Sequence, residues 1–328
     1  MAWQINSNFW RSRKVFVTGG TGFIGTYLVN ELVKNGADVY CLVLEIQKES
    51  NFIKLGLDKK VSLIYGNILD FDLIRLVLDK YDIDTAFHLA AQPLVQIAIK
   101  KPSETIRTNV IGTLNLLEAC RLNNVKRVLI ASSDKAYGSH ENLPYDESFS
   151  LHGEYPYDVS KSCTDLLAQS YAKSYGMHIG ISRSANAYGG GDLNFDRIVP
   201  ETIKHILFGE PILIRSNGKF KREFFYVKDA AKAYLVMGEK LEELGLKGEA
   251  FNFGTDQPVV ILDLVRKIVE ISGKHDTEIK ILNEAKAEIK DQFLSNKKAR
   301  SVLNWSPEYD LDRGLRETYE WYKDHFGK

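Results

Sequence analysis

Tyr157 and Lys161 are separated by four positions in a segment with helical periodicity, 156–172, that begins with a proline. On an α-helix this spacing places a phenol and an ammonium group side by side on one face. A free tyrosine has a pKa of about 10 and is a weak base at neutral pH. A neighbouring cation favours the phenolate, so the pair could act as a general base toward a hydroxyl group. Such pairs also occur by chance on helices, so the interpretation depends on what lies opposite.

Three polar residues follow a short apolar segment, 127–131, that we interpret as a strand: Ser133, Asp134 and Lys135. They would stand at the carboxyl edge of a parallel sheet, where ligands bind in such folds. There a serine hydroxyl can hydrogen-bond a substrate oxygen, and an aspartate offers a second proton-transfer group. A helix cap or a turn is the alternative, because these residue types also form both. The position at the sheet edge favours the functional interpretation.

A glycine-rich turn, TGGTGFIG at 18–25, follows a strand-like run and opens a helical segment, 23–34. Glycines there allow a sharp turn and a close approach to a pyrophosphate, and the helix N-terminus supplies free N–H groups. A surface turn rich in glycine is the alternative, which the position after the first strand disfavours. We expect this turn to bind a dinucleotide through Gly19, Gly22, Phe23, Ile24 and Gly25.

The identity of the dinucleotide depends on the residues after the second strand-like segment. An acidic residue that binds the ribose is expected about 20 positions after the turn. Glu45 stands there, although Val43 occupies the strand end and Glu45 could equally be a solvated loop charge. No arginine lies nearby to hold a 2′-phosphate, so the sequence favours NAD over NADP.

Strands and helices must alternate to bring these residues to one edge. Strand-like runs at 14–18, 38–44, 61–65, 85–89 and 127–131 alternate with helical segments at 23–34, 73–80, 104–122 and 156–172. This rhythm predicts an α/β protein with a Rossmann-type, doubly wound parallel sheet. Beyond 185 the segments are shorter, which predicts a smaller C-terminal α/β substrate-binding lobe. We therefore divide the chain into domains 1–185 and 186–328, with a strand and a helix at about 224–256 returning to the core.

The composition excludes several classes of partner. Equal numbers of basic and acidic residues, 43 each, leave no basic field for nucleic acid or an anionic membrane. The three cysteines have neither disulfide nor metal spacing, and we expect no metal. Segment 1–13 lacks an apolar secretion-signal region, and no run approaches the roughly 20 apolar residues of a membrane span. We expect a soluble, cytoplasmic protein.

Several motifs together resemble the extended short-chain dehydrogenase/reductases that act on nucleotide sugars, the NAD-dependent epimerase/dehydratase family. They are GGTGFIG at 19–25, HLAA at 88–91, Asn109 before Gly112-Thr113, and YxxxK at 157–161. The likeness extends over essentially the whole chain. The nearest resemblance is to the CDP-glucose 4,6-dehydratase branch, on Phe9-Trp10, HLAAQPLV at 88–95, SDK at 133–135, GGGD at 189–192 and DRIVP at 196–200.

The resemblance implies a nucleotide-sugar 4,6-dehydratase reaction. Tyr157 would take the proton of the sugar 4-hydroxyl, with Ser133 hydrogen-bonded to that oxygen, while a hydride passes to NAD. Asp134, with Lys135, would assist loss of the carbon-5 proton and the 6-hydroxyl as water, and the hydride would return to carbon 6. The further residues expected to contact the cofactor are Asn67, Ile68, Leu89, Ala90, Ala91 and Asn109. The residues expected to bind the nucleotide-diphosphate sugar are Asn186, Arg197 and Arg222, and Arg183 is a further candidate.

Two other functions share these residues. A nucleotide-sugar 4-epimerase needs Tyr157, Lys161 and NAD but has no evident use for Asp134 beside Lys135. A non-catalytic NAD-binding protein would not need Ser133 or the Tyr157–Lys161 pair. The glycine turn and the KREFFYVKD segment at 221–229 follow the wider epimerase/dehydratase pattern, which leaves the nucleotide open. We expect a homodimer because segments 104–122 and 156–172 resemble the dimerisation helices of the family, although burial within one chain would also explain their apolar faces.

Overall fold

A seven-stranded parallel sheet forms the centre of the protein. The computed structural model describes residues 5–284 and 289–328. The strands of this sheet are β1 (Lys14–Thr18), β2 (Asp38–Val43), β3 (Ser62–Tyr65), β4 (Thr85–His88), β5 (Arg127–Ala131), β6 (Ile179–Ser184) and β10 (Glu249–Phe253). Their order is β10-β6-β5-β4-β1-β2-β3, and every neighbouring pair is parallel. The strand order reverses between β1 and β4, since β2 and β3 lie on one side of β1 and the later strands on the other, which opens a crevice at the carboxyl ends of β1 and β4.

Helices cover both faces of this sheet. Those before the second lobe are α1 (Ser7–Trp10), α2 (Phe23–Lys34), α3 (Asn51–Lys54), α4 (Phe71–Lys80), α5 (Val95–Lys100), α6 (Pro102–Ile106), α7 (Gly112–Leu122) and α8 (Pro156–Tyr175). One core lies between the sheet, α2, and the later helices α10 (Val227–Glu243) and α12 (Lys297–Leu303). A second core lies between the opposite face and α4, α7 and α8. The predicted doubly wound α/β fold is confirmed.

The predicted helix at 104–122 differs from the structure in its regularity. It begins earlier, with α6, and is interrupted by a π-helical turn at Arg107–Ile111 before α7. The backbone oxygen of Asn109, within that turn, accepts hydrogen bonds from Thr113 and Thr164 hydroxyls at 2.5 and 3.0 Å. The widened turn is therefore held by side-chain contacts, including one from α8, that periodicity does not reveal.

The second lobe combines short strands with three helices. Its strands are β7 (Asn186–Tyr188), β8 (Ile212–Ile214), β9 (Lys221–Tyr226), β11 (Pro258–Val260), β12 (Ile279–Ile281) and β13 (Asp291–Gln292). Its helices are α9 (Ile198–Phe208), α11 (Ile261–Ser272) and α13 (Leu311–Phe326), which surround a third core. Strand β9 pairs with β7, β11 and β13, and β8 pairs with β12. The division at residue 185 stays a proposal, because β10 follows it in sequence and yet lies beside β6.

The helices of the described residues are too short or too polar to cross a membrane.

Candidate active site

The site begins where β5 ends at the carboxyl edge of the sheet. A 3₁₀ turn, Asp134–Tyr137, follows directly, with Ser133 as its N-cap. The Ser133 hydroxyl accepts from the Lys135 backbone N–H at 3.2 Å and donates to Asp134 Oδ1 at 3.0 Å. Ser133 therefore caps the turn, as one interpretation of the sequence expected, and also hydrogen-bonds the aspartate.

Helix α8 brings the phenol and the ammonium to the same place. Pro156 occupies its first turn, where a missing backbone N–H costs nothing. Lys161 Nζ donates to the Ala131 carbonyl at 2.7 Å and lies 6.0 Å from the centre of the Tyr157 ring. The Ser133 hydroxyl lies close enough to the Tyr157 hydroxyl to affect its pKa. The structure thus brings the predicted tyrosine, lysine and serine together.

From the sequence we expect Lys161 to control the pKa of Tyr157, but other groups act on it more strongly. Burial raises the pKa of Tyr157, and the Arg197 cation and the nearby Ser133 hydroxyl oppose that rise. Burial also lowers the pKa of Lys161 to about 8, against the opposing charge of Asp165. The Lys161 ammonium donates its hydrogen bond to the Ala131 carbonyl and lies 6.0 Å from the centre of the phenol ring.

Asp134 is a buried carboxyl group beside a cation. It is only 3% exposed, and its Oδ2 atom has no hydrogen-bond partner among the described residues. Burial raises the pKa of Asp134, whereas Lys135, the Ser133 hydrogen bond and Arg222 act to lower it. A buried carboxyl group with a raised pKa is a candidate for proton transfer with a nearby group.

Two residues of this neighbourhood, Asp158 and Gln292, are not among those identified from the sequence. Asp158 follows Tyr157 and is buried; burial raises its pKa to about 6, with Lys135 the foremost opposing charge. Its place beside the tyrosine is the signal that could have identified it. Gln292 on β13 accepts a hydrogen bond from Lys135 Nζ at 3.1 Å, and only the fold brings it there.

Gly19 and Gly25 of the glycine turn pack so closely against the backbone that side chains would not fit. A Cβ on Gly19, whose φ is +72°, would lie 2.6 Å from the Ala90 nitrogen, and a Cβ on Gly25 would lie 2.0 Å from the Gly19 oxygen. Gly22 is the N-cap of α2 and provides no side-chain cap. The first-turn N–H groups of Phe23, Ile24 and Gly25 therefore remain available to an anion. These features fit the pyrophosphate of a dinucleotide.

The segment after β4 borders the same crevice. The Leu89 and Ala90 backbone nitrogens donate to Thr18, and Ala91 follows them. Asn109 is buried, and its side chain accepts from Gln92 N at 2.7 Å and donates to Ser160 at 2.9 Å. Asn109 thus braces the segment after β4 against α8.

His88, at the end of β4, is buried. Its ring nitrogens lie 2.7 Å from the Thr18 hydroxyl and 2.9 Å from the Thr113 hydroxyl. Burial lowers the pKa of His88 to about 3, and Lys161 contributes. The ring therefore stays neutral at physiological pH and bridges two threonines.

The remaining candidate cofactor residues follow β2 and β3. Glu45 is exposed in the loop after β2. The Asn67 side chain is also exposed and accepts from the Leu69 N–H at 2.9 Å. Ile68 is buried, and a Cβ on Gly112 would lie 2.8 Å from it. Their contacts with a cofactor stay predictions.

The candidate substrate residues lie on the second lobe. Arg197, the N-cap of α9, pairs with Asp192 at 2.8 Å, and its charge acts on Tyr157. Asn186 on β7 donates to the Glu223 carbonyl at 3.1 Å. Arg222 on β9 is buried and donates to the carbonyls of Lys221, Ile289 and Lys290.

Arg183 is a correction to the sequence analysis. It makes two hydrogen bonds to the buried Asp165, at 2.8 and 3.0 Å, and one to the Tyr137 hydroxyl at 3.0 Å. This pair ties β6 to α8 inside the protein and does not present the guanidinium to the crevice. Within residues 5–284 and 289–328 we find no group of three or more His, Cys, Asp or Glu side chains arranged to hold a metal.

Known proteins resemble this chain along nearly its full length. The chain is 31% identical over 335 residues to CDP-glucose 4,6-dehydratase of Salmonella typhimurium, covering 98% of this chain and 93% of the relative. UDP-glucose 4-epimerase of Thermotoga maritima has a TM-score of 0.88 at 29% identity, over 95% of this chain and 99% of that one. The NAD-bound dTDP-glucose 4,6-dehydratase of Streptomyces venezuelae has a TM-score of 0.86 at 26% identity, over 96% and 98%.

A family model places these likenesses in one group. The model described as GDP-mannose 4,6 dehydratase matches residues 16–318, which include the glycine turn, the SDK segment and the YxxxK helix. The chain belongs to the GDP-mannose 4,6 dehydratase family.

Proposed function

We propose that this protein is an NAD-dependent nucleotide-sugar 4,6-dehydratase, similar to the CDP-glucose enzymes, that forms a 4-keto-6-deoxy sugar. The observation that carries the proposal is the buried Asp134, with Oδ2 lacking a partner in the described part of the chain, between Ser133 and Lys135. Oxidation at one carbon does not require such a group. Elimination of water from the neighbouring carbons does.

The first half of the reaction needs one proton acceptor at the sugar 4-hydroxyl. Tyr157 would take that proton, and Ser133, which lies near Tyr157, would hold the same sugar oxygen. Lys161 would orient the helix through its bond to the Ala131 carbonyl and keep positive charge beneath the ring. With NAD as the hydride acceptor, these residues would convert the 4-hydroxyl to a ketone.

The second half needs a proton relay near carbons 5 and 6. The ketone makes the carbon-5 proton acidic; that proton and the 6-hydroxyl leave together as water. Asp134, with Lys135, would accept the carbon-5 proton as a carboxylate and then donate it to the departing 6-hydroxyl; burial raises the Asp134 pKa and so makes the carboxylate a stronger base.

NAD would supply the redox chemistry, accepting a hydride from carbon 4 and returning it to carbon 6. Its binding residues in this proposal are Gly19, Gly22, Phe23, Ile24, Gly25, Glu45, Asn67, Ile68, Leu89, Ala90, Ala91, Asn109, Tyr157 and Lys161. The open N-terminus of α2 supports the assignment to a dinucleotide, and close backbone packing at Gly19 and Gly25 explains why this turn requires glycine. Glu45 and the exposed Leu44 offer no cation for a 2′-phosphate, which favours NAD over NADP.

The diphosphate of the sugar nucleotide would be held from the second lobe. The positive charge of Arg197 acts on Tyr157, and the Arg197 side chain is 37% exposed, so a ligand can reach it. Asn186 and Arg222 complete the proposed set. Because several Arg222 donors are taken by backbone carbonyls, its contribution would be positive charge near Asp134 together with any donor that reorients.

A 4-epimerase is the second candidate, since the Thermotoga maritima UDP-glucose 4-epimerase has a TM-score of 0.88 with this chain. The deciding experiment incubates the purified protein and NAD with CDP-, dTDP-, GDP- and UDP-glucose. A 4-keto-6-deoxy product, seen by its absorbance in alkali and by mass spectrometry, supports the dehydratase. A galacto-configured product of unchanged mass would instead establish the epimerase.

We also propose a homodimer located in the cytoplasm, divided into domains 1–185 and 186–328. Exposed apolar side chains on α5, the π-helical turn and α8, namely Ile97, Ile111 and Leu166, support a dimer face. The three cysteines are unpaired, as in a reducing compartment. Light scattering coupled to size exclusion would test the dimer, and fractionation would test the location.

A further inference from the structure

The Lys135 side chain is fastened by a residue from the far end of the chain. Its Nζ atom donates to Gln292 Oε1 at 3.1 Å. Lys135 is partly buried, whereas Gln292 is 0% exposed. The acceptor therefore has a fixed, solvent-free position, and the flexible lysine adapts to it.

The chemistry of the two groups fixes the orientation of the amide. A lysine ammonium only donates hydrogen bonds, so the oxygen of the Gln292 amide must face it and the nitrogen must point away. Gln292 Nε2 is buried and has no partner within the described ranges. A structural glutamine would ordinarily use both ends of its amide, because an unsatisfied buried donor is costly. Here only the end that faces Lys135 is used.

The backbone around Gln292 is held in place by strand pairing. Gln292 is the register partner of Arg222 on β9, and the neighbouring Asp291 carboxylate accepts from the Lys221 N–H at 2.9 Å. Strand β9 is itself paired with β7 and β11. The amide oxygen is consequently presented from a rigid sheet of the second lobe.

We propose that Gln292 is a positioning residue that holds the Lys135 ammonium beside Asp134 for the elimination half-reaction. This inference rests on the proposed function. It assigns Gln292 no contact with the reacting atoms and no part in oxidation at carbon 4. Lys135 is the foremost charge opposing burial at both Asp134 and Asp158, so its position affects both carboxyl groups.

The test compares two variants of Gln292 in the full-length enzyme with NAD. Gln292→Met has similar length and no acceptor; Gln292→Glu restores one. Two substrates separate the half-reactions: the glucose nucleotide, among those of CDP, dTDP, GDP and UDP, that the wild type uses fastest, and its 6-deoxy analogue. The analogue has no 6-hydroxyl to lose, so it reports oxidation alone through the absorbance of the reduced nicotinamide.

We expect Gln292→Met to slow dehydration about 10- to 100-fold, as for a misplaced catalytic group. Oxidation of the 6-deoxy analogue should stay near the wild-type rate, and Gln292→Glu should recover most of the dehydration. Equal loss of both half-reactions, or loss of neither in Gln292→Met, would overturn the inference.

A readout that needs no turnover separates this inference from the proposed function. Acetic anhydride at limiting concentration, followed by peptide mass spectrometry, measures the reactivity of Lys135 in the protein without substrate. Gln292→Met should increase acetylation of Lys135 and leave that of the exposed Lys34 unchanged. If the wild type makes a 4-epimer, the proposed function fails. In that case the contact between Gln292 and Lys135 is rejected only if Gln292→Met leaves the acetylation of Lys135 unchanged.

Discussion

The Nζ atom of Lys161 lies 2.7 Å from the carbonyl oxygen of Ala131, the last residue of β5. This single bond joins the middle of the first half of α8 to the edge of the sheet. Ser133 follows two positions after that carbonyl and lies near Tyr157. The lysine therefore ties helix α8 to the strand end that carries Ser133, close to the tyrosine.

Removing the Tyr157 hydroxyl should abolish most of the activity. We expect Tyr157→Phe to lower kcat by about 10²- to 10⁴-fold, the usual contribution of a general acid–base group. Tyr171→Phe removes the same hydroxyl from the same helix, where it bonds Glu118 at 3.1 Å, and should leave kcat near the wild-type value. Product formation from the preferred sugar nucleotide measures both. Equal kcat values for the two variants would contradict the role given to Tyr157.

Asp134→Asn should separate oxidation from elimination. Asparagine keeps an acceptor for the Ser133 hydroxyl but cannot carry the proton, so we expect dehydration to fall by about 10²- to 10⁴-fold. A 6-deoxy substrate analogue, which reports oxidation alone, should still reduce the cofactor. Dehydration at the wild-type rate would show that another group carries the proton.

The glycine turn predicts a graded response to alanine. Gly25→Ala places a Cβ 2.0 Å from the Gly19 oxygen, so the turn must open. We expect loss of measurable NAD binding by calorimetry and a stability loss of about 1–3 kcal/mol, as for overpacked sites. Gly22→Ala is the matched control, because its Cβ would lie 3.2 Å from the same oxygen and its φ is −77°. Equal NAD affinity in both variants would contradict the proposal that the glycine turn binds NAD.

Glu239 should make stability depend on pH. It is 8% exposed, accepts from Trp10 Nε1 at 2.6 Å and from Asn6 N at 3.1 Å, and burial raises its pKa to about 7. Between its ordinary pKa of 4.5 and about 7, the folded protein holds a proton that the unfolded chain has lost. Its stabilising contribution is therefore complete below the lower value and disappears as pH rises to the upper one.

Glu239→Gln removes that titration and keeps an acceptor for Trp10. We expect the free energy of unfolding of the variant, relative to wild type, to increase by about 1–3 kcal/mol as pH rises across this window. Urea unfolding at a series of pH values measures the difference. Glu243→Gln on the same helix is the control, since its side chain is 60% exposed. A pH-independent difference for Glu239→Gln would refute the prediction.

Much of the first sheet can be predicted from the sequence because its signals are local. The boundaries of β1, β5 and α2 agree with the predicted segments, since β-branched runs and an amphipathic period begin and end at glycine, proline or polar residues. Strands β8, β12 and β13 have two or three residues each and pair with partners far along the chain. Such short strands depend on tertiary pairing and carry no pattern of their own.

The candidate site divides in the same way. Ser133, Asp134, Tyr157 and Lys161 occupy recognisable positions after a strand and on one helix face. Gln292 reaches Lys135 only because β13 adds to β9, which no spacing in the sequence indicates. The electrostatic influence of Arg197 on Tyr157 likewise depends on how the second lobe sits above the sheet.

The position of β10 has a consequence for synthesis. Strand β10, residues 249–253, completes the sheet beside β6 and leaves the ribosome long after the other six strands. Until then the backbone groups along one side of β6 have no strand to pair with, and an open edge of this kind attracts strands of other chains. Nascent chains paused between β6 and β10 are therefore the species in which we expect chaperone binding and misassembly to be concentrated.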